Sequence, residues 1–163
     1  MRTLRSKRLG CVVAVLLAAC GGNAPKPKTA GHDDALLASS ERDVPQASAL
    51  VREGEGKLAA NDAQAAKALF ERALEQDPRD ARAALDLGIA SEMLGDLPGA
   101  EQAYGRAIEI QPDFAEALNN LGVLKRDGGE LDVAIELFER ATRANSGSAA
   151  AFANLALAFE DRG

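Results

Sequence analysis

An all-α array of antiparallel helix pairs is the fold class this sequence predicts, and three observations carry it. From residue 47 onward, small and aromatic residues return every 34 positions, a period that marks stacked repeats. Between the returns, apolar residues fall at helical spacing, as in Leu85-Ile89 and Ala100-Ala103-Tyr104-Ala107-Ile108. Gly, Asn and Pro punctuate the chain at the same period and leave stretches of about 14 residues, long enough for four helical turns.

The first element is not part of that array. Residues 1–19 carry Arg2, Arg5, Lys7 and Arg8 with no acid, followed by an uncharged run from Leu9 to Ala19. That run is too short to cross a bilayer as a helix, shows no polar face, and fits the core of a secretory signal. Its end, Leu17-Ala18-Ala19-Cys20, resembles the lipobox of bacterial lipoproteins. The resemblance implies cleavage after Ala19 and lipidation of Cys20, which becomes the mature N-terminus with two or three acyl chains such as palmitate. One chain holds a membrane only marginally, at about 0.8 kcal/mol per buried CH₂, whereas two hold stably. Cys11 leaves with the signal, so no disulfide framework is expected. Gly21 and Gly22 follow the cysteine without an acidic residue, which by the same resemblance points to the outer membrane facing the periplasm.

Residues 20–46 follow as a lipidated N-terminus and a tether. Pro, Gly, Ser, Ala and charges dominate, and Leu36-Leu37 is the sole apolar cluster. Little there repays the entropy of ordering, so a disordered linker reaching roughly 25–30 Å is expected. His32-Asp33-Asp34 lacks a second His or a spaced carboxylate cluster, and reads as solvated rather than metal-binding.

The array comes next, and each register has a physical role. Gly54, Gly88 and Gly122 are 34 apart, as are Ala66, Ala100 and Ala134, and Phe70, Tyr104 and Phe138. The small residues let paired helices approach, and the rings fill the space between them. Asn61, Gly95 and Gly129 stand where a first helix must end in a left-handed conformation. Asp62, Asp96 and Asp132 then supply N-caps or first-turn acids for the second helix. Pro78 and Pro112 close two repeats by disfavouring helix in the preceding residue. The period, with Leu87-Gly88, Ala100-x₃-Tyr104 and Pro112, resembles the tetratricopeptide repeat, and the likeness covers residues 47–163. It implies a right-handed superhelical array: three repeats at 47–80, 81–114 and 115–148, then a single helix or partial fourth repeat at 149–163. The family's aromatic slots on the first helices hold Leu50, Ala84, Leu118 and Lys57, Ser91, Lys125, so packing there is lighter; only Phe152 and Phe159 are aromatic.

Composition narrows the function. The chain has 19 Lys+Arg against 25 Asp+Glu, and no Trp and one Tyr. An acidic surface without stacking platforms argues against nucleic acid. With one His and two Cys, and glycines that fall on the structural period, no metal set, nucleophile–base pair or phosphate loop stands out. A non-catalytic scaffold without a cofactor is expected.

In the resembled family the first helix of each pair lines the inner surface. The stripes there are Val51-Glu55, Leu85-Ile89-Glu92, Asn119-Val123-Arg126 and Ala153-Leu157, an apolar floor edged with charge that suits an amphipathic helix or extended peptide. Asn120 and Asn154 are one period apart, and an amide can both donate to and accept from a peptide's main chain; a plain solvent-facing pair remains the alternative. The basic set with which chaperone-binding relatives grip a C-terminal carboxylate is not evident. The resulting expectation is a non-catalytic, lipid-anchored scaffold binding a protein or peptide partner in the bacterial envelope, with assembly of pili, secretion pores or outer-membrane proteins as family precedents. A structural lipoprotein without a dedicated partner, or a non-catalytic subunit of an envelope enzyme complex, are the alternatives. Finally, Phe152, Leu155, Ala156 and Phe159 form one stripe expected to cover the third pair, leaving Leu157 and alanines as an exposed edge for self-association.

Overall fold

The computed structural model describes the backbone of residues 32–163 and the side chains from residue 46 onward. The expected signal segment, with Ala19 and Cys20, lies outside the described residues. Seven helices and no strand make up the described part: α1 (His32–Ala59), α2 (Ala63–Gln76), α3 (Ala81–Met93), α4 (Leu97–Ile110), α5 (Ala115–Asp127), α6 (Leu131–Ala144) and α7 (Ala149–Arg162). The expected class, an array of antiparallel helix pairs with a single helix after them, is the one observed. Helices α1 and α2, α3 and α4, and α5 and α6 form the three pairs, and each pair stacks on the next.

The turns inside the pairs follow from local chemistry. Asn61, Gly95 and Gly129 have φ of 59°, 74° and 80°, the left-handed conformation that ends the first helix. Asp62 and Asp96 then cap α2 and α4, accepting hydrogen bonds from Ala65 N and Gly99 N. In the third pair Glu130 occupies that position without a side-chain cap, and Asp132 serves as the first-turn acid. Between pairs, Asp77 and Gln111 sit in extended conformations before Pro78 and Pro112. Asn145 adopts nearly the same geometry before a serine. Its Oδ1 accepts the Gly147 N–H at 3.0 Å, as Asp77 Oδ1 accepts that of Arg79, so an Asx turn supports the bend there. Arg106 and Arg140 donate to the carbonyl oxygens of Pro78 and Pro112 at 3.0 and 3.1 Å, fastening each pair to the turn before it.

The seam inside each pair is a glycine against a ring. A Cβ built on Gly54, Gly88 or Gly122 would lie 2.6, 2.3 or 2.6 Å from Phe70, Tyr104 or Phe138. Those rings are fully buried, and Ala66, Ala100 and Ala134 are equally enclosed beside them. Only glycine lets the helices come this close.

Two expectations are corrected. Residues 32–46 were expected in the disordered tether, yet the backbone of α1 runs through them. The sequence Ala35-Leu36-Leu37-Ala38 near the start of α1 consists of strong helix formers. Composition argued for disorder; local propensity, continued from the packed residues after 46, favours helix. In α7 the covering stripe is different from the expected one. Ala151 and Ala158 are buried, and Leu155 packs on the core of the third pair. Phe152 and Phe159 are 49% and 42% exposed, and Ala156 faces solvent as well. Residues 34 earlier explain this: Leu118 and Gly122 face their own second helix, whereas Ala117 and Leu121 face the preceding pair. α7 has only a preceding pair to cover.

Candidate functional site

The inner face is built from α3 and α5, whose seams with α4 and α6 fix how far each side chain stands out. Ile89 and Val123, one period apart, sit half-buried at the foot of a hollow of about 430 Å³ lined also by Glu92, Met93, Tyr104 and Asn120. A second hollow of about 320 Å³ adjoins it through Ile89 and Asn120 and extends past Arg82, Leu85, Glu116 and Asn119 to Ser148 and Ala150. The two form one surface across two repeats, apolar at its centre and polar along its sides.

Tyr104 links the seam to that surface. Its ring is locked against Gly88, and its hydroxyl donates to Glu92 Oε2 at 2.8 Å. Burial, together with the Glu92 carboxylate, raises the phenol well above its ordinary pKa, so it stays a neutral donor. The asparagines form a chain: Asn154 Nδ2 donates to Asn119 Oδ1 at 2.9 Å, and Asn119 Nδ2 reaches Asn120 Oδ1 at 3.4 Å. These bonds hold the amides upright beside the hollow and leave further donor and acceptor positions for a ligand's main chain.

Arg82 is the charged hub on the other side. Its guanidinium meets Asp86 at 3.0 Å, Glu116 at 3.4 Å and Glu55 at 3.6 Å, bridging three repeats. Asp86 is buried, and that burial raises its pKa against the opposing pull of Arg82. One cation therefore serves three carboxylates, and it is not free to grip an anionic ligand.

Of the residues expected on the inner face, Ile89, Asn119, Asn120 and Val123 come together around the hollows, and Leu85 lines the second from beneath its surface. Asn154 joins through its bond to Asn119. Val51 is instead a core residue, and Glu55 serves Arg82 rather than the hollows. Arg126 turns to Asp127 and Asp161. Leu157 is exposed on α7, away from the lining residues. Sequence reasoning missed Met93 and the Tyr104 hydroxyl. Tyr104 was assigned to packing alone; its being the one tyrosine in a slot otherwise held by Phe70 and Phe138 was the available signal.

Stacked helix pairs with a lined inner face define a helical-repeat protein of the kind that presents an extended surface rather than a closed pocket. The family model of the tetratricopeptide repeat matches residues 51–115, 100–149 and 119–163, and the chain belongs to that family. Among solved structures, the chain is similar to MamA, at 27% identity over 80% of this chain and 78% of that one, with a TM-score of 0.68. The tetratricopeptide domain of Sgt2 from Aspergillus fumigatus aligns at 24% identity over 73% and 83%, with a TM-score of 0.68. The first such domain of Spaghetti (RPAP3), bound to an HSP90 peptide, aligns at 16% identity over 72% and 93%, with a TM-score of 0.69. The last two establish likeness of fold. No curated protein matches the chain.

Proposed function

We propose that this protein is a non-catalytic, lipid-anchored scaffold of the bacterial envelope that binds a peptide or helix of a partner protein on its inner face. The observation that carries the binding role is the continuous hollow over α3 and α5, with Ile89 and Val123 at its foot and the Asn119–Asn120–Asn154 amides beside it. The RPAP3 domain of the same fold holds an HSP90 peptide, which supports peptide binding as the use of such an array. Replacing Ile89 and Val123 together by Asp tests it. Both are half-buried, so helical content by circular dichroism should persist. Capture of the partner from solubilised envelopes should fall more than about a hundredfold, since each lost apolar contact is worth about 1.5–3 kcal/mol. Unchanged capture by a folded variant would move binding off the inner face.

The envelope setting rests on Cys20 and on the Leu17-Ala18-Ala19 sequence before it. Cys20→Ser should yield an unprocessed or soluble protein on membrane fractionation; a variant that still matures and sediments with the outer membrane would refute the anchor. Self-association is a second reading for one surface only. Phe152, Leu157 and Phe159 are 49%, 46% and 42% exposed on α7, an apolar area that a second copy could cover.

A further inference from the structure

The hollow at Ile89 does not end at the inner face. Glu92, on its wall, also lines a third hollow of about 370 Å³ that passes over the edge of the array between the α3–α4 and α5–α6 turns. Leu97 and Leu124 form the apolar part of this continuation, and Glu101, Asp127 and Glu130 rim it. Met93 and Leu97 are 46% and 53% exposed, so an apolar track runs from the first hollow to the third inside a carboxylate border.

The charges on this border are unevenly answered. Lys125 Nζ bonds both Glu101 at 2.6 Å and Glu130 at 3.0 Å, and Arg126 lies 3.0 Å from Asp127. Among the described residues, no cation lies within 4 Å of the Glu92 carboxylate, whose bonded partner is the Tyr104 hydroxyl. That hydrogen bond fixes the carboxylate in place and neutralises none of its charge. A fixed, uncompensated carboxylate on the wall of an apolar hollow attracts a cation and repels an anion. The arginines expected along the inner face are already engaged, Arg82 by three carboxylates and Arg126 by Asp127 and Asp161.

We infer that the partner segment is extended and basic: it seats an apolar side chain on Ile89, Met93 and Val123 and places a lysine or arginine against Glu92. This rests on the inner-face reading above and specifies its ligand. Side chains two apart on an extended chain lie about 6.6 Å from each other on the same side, which suits an anchor and a cation in adjoining hollows. Acidic peptide ends are disfavoured by the same border.

The test is selection of phage-displayed random nonapeptides on the full chain carrying Cys20→Ser, followed by anisotropy titration of labelled synthetic copies. Enriched sequences should pair Leu, Ile, Met or Phe with Lys or Arg. Replacing that base by Glu should weaken binding by at least about tenfold, in line with a charge-assisted hydrogen bond exchanged for repulsion. Glu92→Gln can still accept from Tyr104, so its thermal unfolding should match the parent while the preference for the base collapses. Three results would overturn the inference: enriched peptides without a basic bias, a basic preference that survives Glu92→Gln, or a second copy of the chain occupying the track by sedimentation. If peptides bind irrespective of charge but fail on the Ile89→Asp, Val123→Asp chain, the inner-face reading stands and this one falls. If no peptide is enriched, both fall.

Discussion

The seam and the inner face occupy the same helices, yet they treat repetition differently. At the seam, Gly54, Gly88 and Gly122 each meet a buried ring at almost the same separation, so one solution is used three times. At the inner face, Glu55, Ile89 and Val123 are also 34 apart, yet they do two different things: Glu55 pairs with Arg82, whereas Ile89 and Val123 make the apolar foot of a hollow. The difference shows where the period is enforced by packing density and where it is free. A core position admits one volume, whereas a solvent-facing position constrains only what binds it.

The strongest way to break this contrast is to empty a seam. Phe138 is fully buried between α5 and α6, and Phe138→Ala should cost about 3–5 kcal/mol by urea unfolding. Phe152, an equally large ring on unpaired α7, is 49% exposed, and Phe152→Ala should cost less than about 1 kcal/mol. Equal losses would mean that α7 is packed as tightly as the pairs.

Overfilling comes next. Gly88→Val places a branched side chain where even a Cβ would stand 2.3 Å from Tyr104, and should cost about 1–3 kcal/mol or more. Gly105, also inside a helix, has nothing within 4 Å of a built Cβ. Gly105→Ala should instead stabilise by about 0.5–1 kcal/mol, the ordinary helix preference of alanine. Thermal or urea midpoints of the two variants should therefore move in opposite directions.

The smallest expected effect is on pH dependence and compares two carboxylates of the second repeat. Asp96 is held below its ordinary pKa, chiefly by the hydrogen bond from Lys67 and then by that from Gly99 N. Its contribution to stability is present above the unfolded value of about 3.9 and is lost as pH falls through the lowered folded value. Asp86 is raised by burial, so the native state takes up its proton before the unfolded chain does and gains stability as pH falls. Relative to the parent, the deficit of Asp96→Asn should shrink in acid, while that of Asp86→Asn should grow. Urea midpoints taken between about pH 3 and pH 7 would show the opposite slopes.

The seam was legible in the sequence because its residues are irreplaceable in kind: glycine at the contact, a ring opposite it, and Asn61, Gly95 and Gly129 at positive φ. The start of α1 was not, because residues 32–46 are poor in apolar side chains and only their helix propensity argued for order. The rotation of α7 was missed for another reason. Phe152, Leu155, Ala156 and Phe159 do lie at helical spacing, but spacing alone does not say which neighbour a stripe meets; that depends on which neighbour is present. At the site, the pairing of Ile89 with Val123 and of Asn119 with Asn120 was readable from the period. Val51 was misplaced to the surface because a core valine and a floor valine have the same sequence pattern. The reach of Tyr104's hydroxyl to Glu92 depends on a side chain crossing between two helices, which no single-helix pattern contains.

Every substantial helix contact in the array joins elements adjacent in the chain or next but one. Such a molecule has low contact order, so it is expected to assemble quickly by zipping outward from any pair that forms first. It is also expected to fray from its ends rather than melt all at once. α7 is held by α6 and a few contacts to α5, and Asn154 is its link to the amide chain beside the hollow. Opening of this last helix would therefore release one rung of the binding surface while the two hollows' central floor stayed folded. A bound segment that engages Asn154 would suppress that opening, and slowed amide exchange in α7 would report occupancy at a distance from Ile89 and Glu92.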